Sequence, residues 1–268
     1  MTASRRSTWI ATALVSVMTA CGASAADRLA AVSENVDRIQ SGVLEMRLSI
    51  ASVAEPETPI GFEMRGPFDL AGDGLEADLT YRQVAGSVDE EVRFIVAEGR
   101  AFVQTDGAFF EIPVEEQAPQ AETPTMLQDL ALEDWAADPT VVEGGDGRST
   151  ITSPLHEVAA LEGLLRMLDQ VGMAEASGVA ALRELDDEVL ERSVDSGSMI
   201  VRAGPDDLLR ALVVRIRFGL DPSSPLDKAL EGVAGAELLF EVEITRTGRS
   251  IVVGVPEDAQ PISELPGF

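Results

Sequence analysis

His156 is the only histidine and Cys21 the only cysteine in 268 residues, so the usual bases, thiol nucleophiles and zinc ligands are almost absent. A serine hydrolase working through histidine would have to use His156, and no Gly-x-Ser-x-Gly elbow accompanies it. Zinc sites need several His or Cys ligands. The Gly-x-x-x-x-Gly-Lys and Gly-x-Gly-x-x-Gly phosphate loops are also missing. Carboxylates are the one reactive class in surplus, 47 against 20 basic residues. Asp89-Glu90-Glu91 and Asp186-Asp187-Glu188 have the composition of calcium sites or acid/base pairs, but in a chain this acidic a solvated face is the preferred reading. Glu143-Gly144-Gly145-Asp146-Gly147 lacks the ligand spacing of a calcium loop. The expectation is a protein that is not an enzyme, with no metal and no cofactor.

Cys21 remains, and its surroundings explain it. Arg5 and Arg6 precede a short apolar run, Trp9 to Met18, and then small residues. This is the order of a secretory signal, and the run falls short of the roughly 18 apolar residues of a membrane span. Met18-Thr19-Ala20-Cys21-Gly22 resembles a bacterial lipobox, with Met18 where Leu is usual. Cleavage there would free Cys21 for acylation by palmitate-like chains. Ala23-Ser24-Ala25 is the competing, ordinary signal-peptidase site. The lipobox is preferred because the lone cysteine sits where acylation needs it. Residues 1–20 are thus expected to be a signal peptide of lipoprotein type. Residues 21–268 are expected to be a single domain, lipid-anchored on the extracytoplasmic face of the cell membrane, or secreted if cleavage follows Ala25.

The net charge is −27, and losing Arg5 and Arg6 makes it more negative still. Such a surface repels nucleic acid and anionic headgroups. Hydrophobic residues make up 45%, too many for a disordered acidic tail.

The elements follow from periodicity. Asp27 to Gln40 reads as a helix with Leu29, Val32, Val36 and Ile39 on one stripe, Asp27 as N-cap and Gly42 as stop. The period then falls to two. Leu44, Met46, Leu48 and Ile50 alternate with Glu45, Arg47 and Ser49. The same alternation gives Ile60/Phe62/Met64, Leu75/Ala77/Leu79/Tyr81, Val92/Phe94/Val96, Leu212/Val214/Ile216/Phe218 and Leu238/Phe240/Val242/Ile244. Ile251, Val253 and Val255 read as a last strand. Glu98-Gly99 and Asp106-Gly107 are hairpin turns. Residues 114–125 read as a loop. Two helices are expected between the strand groups, Pro154 to Gln170 and about Val179 to Val189. The fold class is α+β and β-dominated: a single curved antiparallel sheet of about ten or eleven strands, a half-barrel with helices on its concave side.

Several segments carry a family resemblance: Gly99-Arg100-Ala101-Phe102-Val103 with Gly107-Ala108-Phe109-Phe110; Trp135-Ala136-Ala137-Asp138-Pro139 followed by residues 143–150 and a leucine-rich helix; Pro205 to Leu212; and Pro256 to Pro261 with Leu265. They resemble the LppX/LprG-type cell-envelope lipoproteins, whose fold is the LolA-like half-barrel. The resemblance implies an apolar pocket for lipid or glycolipid acyl chains, lipid transport across the envelope, and a lipid exporter as a further partner. Its walls are expected at Met46, Leu48, Phe62, Met64, Phe94, Leu161, Leu165, Leu168, Ile216 and Phe240. The methionines Met46, Met64, Met167, Met173 and Met199 suit a pliable lining, with ordinary core the preferred reading for any one of them. The alternative function is a protein-interaction or envelope-sensing module on the same fold, with a filled interior and no lipid ligand.

Overall fold

A computed structural model describes residues 23–53, 56–71, 74–85, 88–113, 130–170, 187–219 and 235–265. The expected signal peptide, the expected 114–125 loop, Met173 and most of the second expected helix lie outside the described residues.

The strands are β1 (Ser41–Ser52), β2 (Ile60–Asp69), β3 (Glu76–Ala85), β4 (Val88–Ala97), β5 (Arg100–Thr105), β6 (Ala108–Ile112), β7 (Thr140–Glu143), β8 (Ser149–Pro154), β9 (Val194–Ala203), β10 (Leu209–Phe218), β11 (Ala236–Thr245) and the two-residue β12 (Gln260–Pro261). They form one sheet in the order β12-β6-β5-β4-β3-β2-β1-β11-β10-β9-β8-β7. Every pairing is antiparallel except that of β12 with β6. The two edges do not meet, so the curved sheet is an open half-barrel, as the alternation predicts.

Neighbours in sequence are mostly neighbours in the sheet, as short turns dictate. Glu98-Gly99 and Asp106-Gly107 each place two residues at positive φ, the turn whose twist matches paired strands. Besides β12 on β6, the exception is the centre. There β1 pairs with β11, Leu44 opposite Ile244 and Leu48 opposite Phe240. Curvature has a local cause in β2. Gly61 and Gly66 sit at φ 152° and 151°, where a Cβ would stand 2.0 Å from the carbonyl oxygens of Leu48 and Asp78 respectively. Only glycine allows the strand to bend so closely past its neighbours.

Register puts the inward set on one face. Val242, Met46, Met64, Tyr81 and Val92 lie side by side across five strands. Glu45, Arg47, Arg215 and Arg217 alternate onto the outer face, where cross-strand pairs such as Arg217–Glu237 (2.7 Å) and Arg93–Asp78 (2.6 Å) form.

Among the described residues four α-helices accompany the sheet: α1 (Ala25–Glu34), α2 (Leu132–Trp135), α3 (Glu157–Gln170) and α4 (Asp187–Ser193). Leu29, Trp135, Leu161, Leu164, Leu168 and Leu190 join the inward strand residues in one buried cluster. Gly163 of α3 gives Trp135 its place, since a Cβ there would come within 2.5 Å of the indole ring. The first helix starts earlier than expected. Ser24, not Asp27, is the N-cap, and Asp27 reaches back to the Ser24 N–H in a capping box. The helix ends at Glu34, a 3-10 turn carries Val36–Arg38, and Gly42 lies inside β1 instead of stopping the helix. Arg28 pins this helix to two hairpin turns, through Glu143 at 3.1 Å and Asp207 at 2.5 Å. Pro154 closes β8 instead of opening the long helix, which begins at Glu157 just after an exposed His156.

Ile251, Val253 and Val255 do not form a strand. They run over the outer face and, with Ala259, cover Ile95, Ala97, Phe102 and Phe109. The reason is in β4–β6, whose strands are apolar on both faces: Ile95, Phe102 and Phe109 outward, Phe94, Val103 and Phe110 inward. Strands buried on both sides lose simple alternation. This C-terminal strap is fixed at its start, where the Ile251 N–H donates to Asp69 Oδ2 at 3.2 Å, and at its end by β12. Arg93 over Phe109 and Arg100 over Phe102, at 5.7 and 4.9 Å from the ring centres, close its sides.

Candidate functional site: the concave face

The inward face is an extended apolar surface. Of the ten expected wall residues, Met46, Leu48, Phe62, Met64, Leu161, Leu165, Leu168, Ile216 and Phe240 lie in the single buried cluster. Strand pairing brings several into direct opposition: Leu48 sits between Phe240 and Phe62, and Met46 faces Met64. Met167 and Met199 belong to the same cluster.

Phe94 stands apart. It is inward-facing but 38% exposed. Its cross-strand partners Leu79 and Val103 are only half-buried, as are Tyr81 and Val92 in the next row. The concave face therefore has a covered part, over β1, β2 and β8–β11, and a partly open part, over β3–β5. Periodicity predicts which residues point inward but carries no signal for which strands the helices cover.

Tyr81 is a polar feature that the sequence reading passes over as an inward apolar position. Its ring stacks on Phe62, with centroids 5.8 Å apart and planes at 26°. Its hydroxyl is enclosed and has no hydrogen-bond partner. Burial pushes the phenol above its ordinary pKa, because the phenolate would be poorly solvated there.

A different concavity, of about 380 Å³, opens on the outer face. Charged residues of the central strands line it, among them Glu45, Arg47, Glu63, Arg65, Glu241 and Glu243. Glu45 lies opposite both Glu243 and Arg65, so its repulsion from one is offset by the other. Arg47 Nε is buried and sits 3.6 Å from Glu63 Oε1, slightly long for a hydrogen bond. Met46 and Met64 of the expected acyl site also border this groove, together with Ala211, Val213 and Val242, so its lining mixes charged and apolar residues. Among the described residues no group of three His, Cys, Asp or Glu side chains could hold a metal ion. Among them, too, no helix is long and apolar enough to cross a membrane.

The chain is similar in structure to LprF. That protein, from Mycobacterium bovis, aligns with 88% of this chain and 99% of its own at 10% identity, with a TM-score of 0.45. A LolA superfamily protein from Nitrosomonas europaea aligns over 88% of this chain and 96% of its own at 8% identity, with a TM-score of 0.24. No family model and no curated protein matches the sequence. Strand order and register make the sheet a half-barrel.

Proposed function

We propose that the chain is a membrane-tethered lipoprotein of the cell envelope, whose concave face takes the acyl chains of a lipid or glycolipid for transport. The observation that carries this reading is the partly open stretch of inward apolar surface, with Phe94 38% exposed beside half-buried Leu79 and Tyr81. An acyl chain laid there would gain roughly 0.8 kcal/mol per CH₂ removed from water. The other nine wall residues named from the sequence would form the deep end of the site, with Phe94 at its mouth. Carriage of this kind needs no catalytic group, and a lipid exporter is the natural partner.

The N-terminal cap supports the tether. Cleavage after Ala25 would remove Ser24 and with it both hydrogen bonds of the capping box. Cleavage before Cys21 keeps them. Acylated Cys21 would anchor the domain on the extracytoplasmic face, since more than one chain on a cysteine suffices for stable attachment. The expected result is that wild-type protein partitions into detergent and Cys21→Ala is released to the medium. An unchanged distribution would refute the anchor.

A second reading, a protein-interaction or sensing module with a filled interior, is favoured by the burial of nine of the ten wall residues within one cluster. Native mass spectrometry of protein extracted from its own membranes separates the two. Bound lipid supports carriage; lipid-free protein, with none taken up on incubation with membrane extract, supports the second reading.

A further inference from the structure

We propose that Tyr81 is the polar contact of the concave face, donating its hydroxyl hydrogen bond to an uncharged carbonyl oxygen of an acyl ester or amide. This deepens the lipid-binding reading and rests on it. A buried phenol that lacks a partner forfeits a hydrogen bond that it makes freely in water, and such groups are rare in folded proteins. Here the hydroxyl is enclosed and unpartnered, while the ring is fixed against Phe62. Its place in the sheet points to what completes it. Tyr81 faces Met64 on one side and Val92 on the other, one row from Leu79 and Phe94. Tyr81 is thus one row from the open stretch along which a chain entering past Phe94 would run, with its ring turned toward Phe62.

The surroundings select the partner's chemistry. The arginines nearest in sequence and register, Arg65, Arg82 and Arg93, alternate onto the opposite face. A free carboxylate or phosphate beside Tyr81 would therefore be buried without a cation, which is costly. A carbonyl is an acceptor only, carries no charge, and matches the phenol's one proton. The inward neighbours Met64, Val92 and Phe62 are apolar, and the next inward residue of β3, Gln83 opposite Phe62, is the polar neighbour in register.

Tyr81 is the only tyrosine in the chain, so its state can be read without interference. The test uses the full chain after lipid extraction and refolding. The probes are methyl palmitate and octadecane, similar in length and differing in the ester, each delivered from cyclodextrin. Binding is followed by displacement of the dye 1-N-phenylnaphthylamine. The wild type should prefer the ester by roughly five- to tenfold, the scale of one hydrogen bond. Tyr81→Phe should erase that preference, leave octadecane binding unchanged, and melt no lower than the wild type, because it removes a hydroxyl that has no partner. In wild-type protein carrying tyrosine labelled with carbon-13 at Cζ, methyl palmitate should shift the Tyr81 signal and octadecane should not. Equal binding of both probes by the wild type, an ester preference that survives in Tyr81→Phe, or a melting temperature lowered by several degrees would overturn the assignment while leaving lipid binding intact. If neither probe displaces the dye, lipid binding itself fails.

Discussion

The two ends of the sheet solve the same problem differently. From β1 through β11 to β8, the inward face is covered by α1, α2 and α3, and the outer face is charged and wet. From β4 to β6, the strands are apolar on both faces, and it is the outer face that is covered, by the strap of residues 251–259. The inward face there is left partly open at Phe94. Identical strand geometry thus yields a sealed region and a region with one face free. What differs is which later segment of chain returns to it.

Core truncation should break this comparison most sharply. Phe240→Ala, in the covered region, should cost about 3–5 kcal/mol in denaturant unfolding, whereas Phe94→Ala should cost less than about 1 kcal/mol. Similar losses at the two sites would mean that Phe94 is as well packed as Phe240. Next, Phe102→Ala empties a buried place beneath the strap and should cost about 3 kcal/mol. Hydrogen exchange should show the loss confined first to β4–β6, with β1 and β11 still protected. Uniform loss of protection would make the strap part of one cooperative core.

The smallest effect lies at the N-terminal cap. Ser24→Ala should lower stability by about 1 kcal/mol at neutral pH. Its hydrogen bonds from the Ser24 side chain and backbone N–H hold Asp27 below its ordinary pKa. A carboxyl with a depressed folded-state pKa contributes stability above the unfolded value, about 4, and loses it as pH falls through the folded one. The gap between wild type and Ser24→Ala should therefore narrow on acidification below pH about 4. A gap that widens would show that the box plays no part in docking α1.

Much of the architecture was legible because single-faced strands advertise themselves. Alternation in β1, β10 and β11 identified Leu48, Ile216 and Phe240 as inward and Arg47, Arg215 and Arg217 as outward. Alternation also misled. Ile251, Val253 and Val255 have the spacing of a strand, yet they cover one. The contrary evidence lay in the doublets Phe94-Ile95, Phe102-Val103 and Phe109-Phe110, which announce strands with two dry faces. The short edge strand β7 gave too few residues to show a period, with Val142 exposed and Val141 partly buried. The covered and open parts of the concave face could not be told apart in advance. That distinction depends on where α3 settles, a long-range matter that no local pattern encodes. The Tyr81 hydroxyl was hidden for the same reason, since an unmet hydrogen bond is a property of the surroundings and not of the residue.

The pairing of β1 with β11 also sets an order in time. During synthesis the meander β1–β6 emerges first, and its local hairpins can form at once. The central strand then presents Leu44, Met46 and Leu48 along a bare edge until residues 236–245 arrive. Pairings so far apart in sequence close slowly, and an exposed strand edge recruits other chains in the meantime. The half-finished sheet is the dangerous species in this protein's life, and the chain must pass through it or be kept from forming it until the last strand is made.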